Sequence, residues 1–314
     1  MSALLDAIRP TTFIVSQKLR DYLKLDVTIA TETFQHTGSF KFRAAYELAS
    51  NVPNAEILTA SSGNFGQALA YSCKLLGKKC TVVMPATSAQ VKIDAVRGYG
   101  AKVDLVDTTK LGRNERVSQL AAEMPDAYFA SAYDDDLVIQ GNSTLGDELA
   151  VEDFDIVISP VGGGGLISGI VAGLKRHMKA TIVYGAEPLL GNDAARSLRA
   201  GELIRNEVEP LTIADGARTI SLGDRNWTII KGNVAEIIEV SEDAIAEALR
   251  MYFNLANLKC EPTGALSLGA VLERPRQFAG KKICLVVSGG NVDPMVYSSI
   301  ISQKTETQSY RTTS

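Results

Sequence analysis

No apolar run in this 314-residue sequence approaches the roughly 18 residues of a membrane-spanning helix. The N-terminus, MSALLDAIRP, lacks the basic-then-apolar pattern of a secretory signal. Basic runs and basic-aromatic patches are missing, and the formal net charge is −4, so nucleic acid is not an expected partner. Cysteine is sparse: Cys73, Cys80, Cys260 and Cys284 show no CxxC spacing. They read as reduced thiols packed as small hydrophobes in a cytoplasmic protein. Internal repeats and Pro/Ser-rich linkers are absent too, so the lobes of the molecule are expected to be interwoven.

What the chain does have is 46% hydrophobic and 22% charged residues, with 26 glycines. That is a globular composition with enough chain for two lobes. Short β-rich runs alternate with helical patterns. The runs are EILTA at Glu56, CTVVMP at Cys80, KVDLVD at Lys102, AYFAS at Ala127, DIVISP at Asp155, TIVYGAE at Thr181 and KICLVVS at Lys282. Their apolar stretches do not alternate with polar residues, which predicts strands buried on both faces of parallel α/β sheets. Between them, GQALAYSCKLLG reads as a helix from Gly66, with Gly77 as its C-terminal cap. The polar tail SQKTETQSYRTTS is expected to fray.

Four short segments carry the chemistry. HTGSFKFRAA, His36 to Ala45, places Lys41 in a Ser/Gly/Phe-framed turn before an alanine-rich helical run. A Schiff-base lysine must shed its charge to attack an aldehyde, so it needs burial, and Phe40 and Phe42 are the neighbours expected to supply it. A lysine in such a turn is more often simply solvated, and the companion motifs reverse that reading. VGGGGLISGI follows an apolar strand and opens a helix. Gly162, Gly163, Gly164 and Gly165 let the backbone approach an anion, and the helix N-terminus supplies N–H donors. The run is not a dinucleotide fingerprint: counted from Gly163 and Gly165, the third position is Ser168, and glycine arrives only at Gly169. SSGNFGQALA sets Ser61, Ser62, Gly63 and Asn64 at a strand-to-helix junction whose amides suit a substrate carboxylate, although plain N-capping explains the same residues. SGGN puts Ser288 at the C-terminal end of another strand, where α/β sheets bind ligands.

TGSFKFRAA, SSGNFGQ, PVGGGGLISG, EPTGA and SGGNVD, in this order and spacing, resemble the fold type II pyridoxal-phosphate (PLP) enzymes. The nearest branch is that of serine racemase and the serine/threonine dehydratases, including 3-hydroxyaspartate dehydratase. The resemblance spans about residues 5 to 300. It implies a tryptophan synthase β-like α/β fold of two lobes, each an open parallel sheet flanked by helices. The large lobe would comprise residues 1–47 and 133–314, and the small mobile lobe residues 48–132.

By that resemblance Lys41 is the cofactor lysine, freed by the substrate amine to act as general base at the α-carbon. Asn64 meets the cofactor's 3′-oxygen, Gly162 to Gly165 its phosphate, and Ser288 its pyridine nitrogen. A neutral serine there leaves the ring nitrogen mostly unprotonated, which suits β-elimination to a 2-oxo acid and ammonia. Ser62 would lie on the opposite face, where racemases return the proton, so serine racemisation is the alternative activity. AEPLLGND resembles the divalent-metal site of the racemase-like members: Glu187 and Asp193 as carboxylates, Gly191 as a carbonyl, and Mg²⁺ or Ca²⁺ as the ion. A polar turn with two scattered acids is the plainer alternative. ADGARTISLG resembles dehydratases for β-hydroxy amino acids, with Arg218 and Thr219, and separately Arg113, placed for a second substrate carboxylate. A homodimer is implied as well, and no allosteric control by isoleucine.

The chain departs from the family in three places. Arg43-Ala44-Ala45 stands for RGA, Phe65 for the histidine of SSGNHG, and Gly141-Asn142-Ser143-Thr144 for GQGT. These bear on substrate preference. Two readings from other classes compete: a nicotinamide oxidoreductase, opposed by the failed fingerprint, and a noncatalytic amino-acid-binding module, which has no use for Lys41.

Overall fold

The computed structural model describes residues 2–61, 63–88 and 90–302. Ten strands are found there: β1 (Thr12–Ile14), β2 (Asp26–Thr31), β3 (Glu56–Ala60), β4 (Lys79–Pro85), β5 (Lys102–Val106), β6 (Tyr128–Ala130), β7 (Ile156–Pro160), β8 (Ile182–Pro188), β9 (Glu236–Val240) and β10 (Lys282–Val287). They form two sheets, a six-stranded one in the order β1-β2-β10-β7-β8-β9 and a four-stranded one in the order β5-β4-β3-β6. Every pairing is parallel except β1 with β2.

Period-two alternation puts successive residues of each strand into different cores. Ile158 and Leu285 join one cluster of the large sheet, while Val157 and Val286 join the other. Ile57 and Val82 of the small sheet face one cluster, and Leu58 and Val83 the opposite one. Both faces are therefore covered, which is why β7 is buried along its whole length and reads as an unbroken apolar run. The seven expected strands are all present. β1, β2 and β9 were not expected: β1 has three residues, DVTIAT mixes threonine with apolar residues, and EIIEV is framed by glutamates.

The helix at Asn64–Leu75 starts two residues earlier than expected, and Gly77, at φ +67°, follows its cap. The polar tail lies outside the described residues from residue 303 onward. Among the described residues no helix is long and apolar enough to cross a membrane.

The topology positions the site. β2, β10 and β7 are parallel neighbours. The Lys41 segment follows β2, the SGGN segment follows β10 and the glycine run follows β7, so all three emerge at the same edge of the sheet. In the small sheet, the SSGN segment follows β3 and Ala132 follows β6, again neighbours.

Candidate active site

The Lys41 and SGGN segments are stitched together. Phe40 N–H donates to the Ser288 carbonyl at 3.0 Å, Gly290 N–H donates to the Gly38 carbonyl at 2.9 Å, and Ser39 bridges Gly289. Gly38, at φ +76°, is packed so closely that an added Cβ would sit 2.5 Å from Asn291 Oδ1. Thr37 beside it is left-handed at φ +60°, an uncommon conformation for a β-branched residue.

Lys41 is the first residue of the Lys41–Asn51 helix. Its Nζ donates to the Ala132 carbonyl at 2.7 Å and lies over the rings of Phe40 and Phe65, at 5.0 and 5.7 Å from their centroids. Burial lowers its pKa to about 8 against the opposing charge of Glu261. The expectation for Phe42 needs correcting. Its ring packs against His36, Tyr46 and Tyr71, away from Lys41, and Phe65 takes the covering place. Phe40, the other neighbour expected, does lie over the amine.

Asn64 Nδ2 donates to both oxygens of Glu261, at 2.8 and 3.1 Å, and its Oδ1 accepts from Asn291 Nδ2 at 2.9 Å. Glu261 is buried, and its pKa is pushed up to about 8 by desolvation, with Asp215 adding to the rise. Ser61 Oγ accepts from the amides of Gly63 and Gly66, so it caps the start of the following helix. Ser62 lies outside the described residues.

The glycine run leads into the Gly165–Arg176 helix, with Gly164 left-handed at φ +91°. A Cβ at Gly163 would lie 2.3 Å from the Tyr133 ring. Among the described residues, the amides of Gly162, Gly163 and Gly164 donate to no group of the chain. Ser288 Oγ is likewise buried without a partner. Free amides at a helix start, an unpartnered hydroxyl and a lysine of lowered pKa form a set that fits PLP: anion donors, a partner for a ring atom and an amine for an aldehyde.

Glu187 and Asp193 are both buried. Glu187 accepts from the amides of Ala194 and Ala195, and Asp193 from Leu222 N–H and Asn206 Nδ2. Burial and the charge of Asp193 push Glu187 well above the usual carboxylate range, and burial carries Asp193 up to about 7. Gly191 lies between them in a short 3₁₀ turn. Two buried carboxylates and a carbonyl suit a hard divalent cation. Among the described residues no group of three or more His, Cys, Asp and Glu side chains clusters as metal ligands.

The two arginines are not brought together. Arg113 Nη2 is 3.4 Å from Glu209 Oε2, and Arg218 donates to the Thr212 carbonyl through Nε and Nη2. Thr219 Oγ1 is buried without a partner among the described residues. Glu261, Asn291, Tyr133 and Asn226 were missed as individual residues; only the first two sit in motifs that the sequence reading singled out.

Parallel strands of two sheets whose C-terminal ends converge on a desolvated lysine and a glycine cradle define a two-lobed α/β enzyme. The chain belongs to the pyridoxal-phosphate dependent enzyme family, whose model matches residues 4–289. It is 36% identical over 292 residues to a beta-hydroxyaspartate dehydratase of Paracoccus denitrificans (strain Pd 1222), covering 91% of this chain and 92% of that one. A serine racemase of Schizosaccharomyces pombe (strain 972 / ATCC 24843) is 35% identical over 299 residues, covering 93% and 92%. The crystal structure of a T.th. threonine deaminase superposes with a TM-score of 0.87 at 38% identity, covering 93% of this chain and 97% of that one.

Proposed function

We propose that the protein eliminates the β-hydroxyl of a β-hydroxy amino acid, serine, threonine or 3-hydroxyaspartate, and yields a 2-oxo acid and ammonia. The water lost in elimination is regained on hydrolysis, so the net loss is ammonia. The names of the dehydratase, racemase and deaminase relatives support this substrate class. The observation that carries the reading is Lys41: an amine with pKa about 8, aimed by the Ala132 carbonyl among the converging loops. When bound, PLP supplies the aldehyde and the electron sink for the α-carbon.

The chain's own residues would do the rest. Uncharged Lys41 takes the α-proton at Nζ. Gly162 to Gly165 hold the phosphate, Ser288 meets the ring nitrogen and Asn64 meets the 3′-oxygen. The amides and hydroxyls from Ser61 to Asn64 receive the substrate carboxylate. Residues 48–132 act as the small lobe and close over residues 1–47 and 133–314, excluding water; the separate four-stranded sheet supports that division. Glu187, Asp193 and the Gly191 carbonyl take Mg²⁺ or Ca²⁺. The enzyme works as a cytoplasmic homodimer.

Ammonia release measured on serine, threonine and each 3-hydroxyaspartate stereoisomer tests the reading; no release from any of them would defeat it. The racemase relative supports a second activity, return of the α-proton by Ser62 to the other face of serine. Formation of D-serine, and its loss in Ser62→Ala, would establish it.

A further inference from the structure

Asn226 lies in the helix Asp224–Ile230, far in sequence from the glycine run, and its side chain is fully buried. Its Nδ2 donates to two carbonyls, Gly163 at 2.9 Å and Tyr133 at 2.8 Å. The two acceptors fix the orientation of the carboxamide, because a flipped oxygen would face two other oxygens. Oδ1 is then buried with no partner among the described residues. Leaving an acceptor buried and unpaired is costly, so packing alone gives no reason for an amide here.

The Gly163 carbonyl accepts a second bond, from Gly223 N–H at 3.1 Å. Gly163 C=O and Gly164 N–H belong to one planar trans peptide and point in opposite directions. Two donors on that oxygen therefore fix where the Gly164 N–H is aimed. A Cβ at Gly164 would stand 2.9 Å from Asn226 Cβ, so the loop packs against the asparagine with no room for a side chain between them. The same amide ties the Tyr133 carbonyl to the loop, and the Tyr133 ring covers Gly163. Asp134, next in sequence, accepts from the amides of Asp224 and Arg225 and joins this segment to the helix of Asn226.

We propose that Asn226 is a positioning residue for the phosphate of the cofactor: it pins the Gly163–Gly164 peptide so that the loop's amides are set for the anion before it arrives. The inference rests on the reading of Gly162 to Gly165 as the phosphate cradle. Preorganised donors lose no ordering free energy on binding, so the gain falls on the phosphate and not on the rest of the cofactor.

The experiment titrates the full-length protein, stripped of cofactor, with PLP and with pyridoxal, which lacks the phosphate. The unmutated chain is expected to bind PLP far more tightly than pyridoxal; equal affinities would overturn the cradle reading itself. In Asn226→Ala, Kd for PLP should rise about tenfold, the weight of roughly one net hydrogen bond, while Kd for pyridoxal stays within about twofold. Equal weakening of both ligands would mean a general packing role, and no change in either would mean no role; each overturns the proposal. If circular dichroism shows Asn226→Ala unfolded, Asn226→Thr fills more of the volume, loses the two-pronged amide and carries the same comparison.

Discussion

Asn64 and Glu261, 197 residues apart, share a forked contact in which one amide nitrogen meets both carboxylate oxygens, at 2.8 and 3.1 Å. This holds the SSGN segment of one sheet against the EPTGA segment of the other. The carboxyl is buried, and its pKa is raised from the ordinary 4.5 to about 8. A carboxyl whose folded pKa is raised binds its proton more tightly in the native state than in the unfolded chain. Stability therefore falls as pH climbs from about 4.5 to about 8, at about 1.4 kcal/mol per pH unit for this group, and levels off above. Glu261→Gln should remove that slope, so that the gap between variant and parent melting temperatures widens from pH 5 to pH 8. A gap that stays constant with pH would contradict the assignment.

Lys41→Ala is expected to abolish ammonia release by several orders of magnitude while the fold persists. In the cofactor-free protein the substitution also relieves a buried ammonium. With a folded pKa of about 8 against an ordinary 10.5, the parent carries its full penalty below pH 8 and recovers it between about pH 8 and 10.5. Lys41→Met should thus stabilise the cofactor-free chain at pH 7 and lose that advantage toward pH 10. Thermal melts across that range decide the point.

Excess EDTA should lower the melting temperature and the activity, and Mg²⁺ or Ca²⁺ should restore both. The expectation comes from the buried carboxylates of Glu187 and Asp193, and a ligand that binds only the folded chain stabilises by mass action. If melting and activity are both unchanged by the chelator, no metal is held there.

For the substrate, 3-hydroxyaspartate should exceed serine and threonine in kcat/KM by roughly ten- to a hundredfold, because a charge-assisted contact to a buried carboxylate contributes about 1.5–3 kcal/mol. Arg113→Ala should narrow that gap and leave serine turnover nearly unchanged. Arg113 must first leave Glu209, a partly exposed and long pair worth little. Glu209→Gln is therefore expected to lower KM for the dicarboxylate. Threonine turnover equal to that of 3-hydroxyaspartate in the parent enzyme would refute the selection.

Much of this was legible in the sequence because it is written in contiguous runs. Strands covered on both faces, such as IVISP and KICLVV, cannot alternate, and a glycine run after such a strand has few other uses. β2 and β9 were opaque because threonine and flanking glutamates dilute their apolar signal. Asn226 and Tyr133 were illegible for another reason: each acts on the glycine run through space, from segments 63 and 30 residues away from Gly163. Of the two neighbours expected to cover Lys41, Phe40 does and Phe42 does not; Phe65, brought in from the SSGN segment through space, takes the second place. The arginines show that a charge beside a motif does not reveal where its flexible side chain ends.

The last strand among the described residues, β10, lies between β2 and β7 near the middle of the large sheet. A ribosome must therefore release residue 287 before the sheet can close, and until then β2 and β7 wait with unpaired apolar edges. Contacts of such long range make for slow folding and an interval of vulnerability to aggregation. Chains stopped short of Lys282 are expected to be chaperone clients that lack the cofactor site, whereas the four-stranded sheet, complete by Ala130, has all its strands early in synthesis.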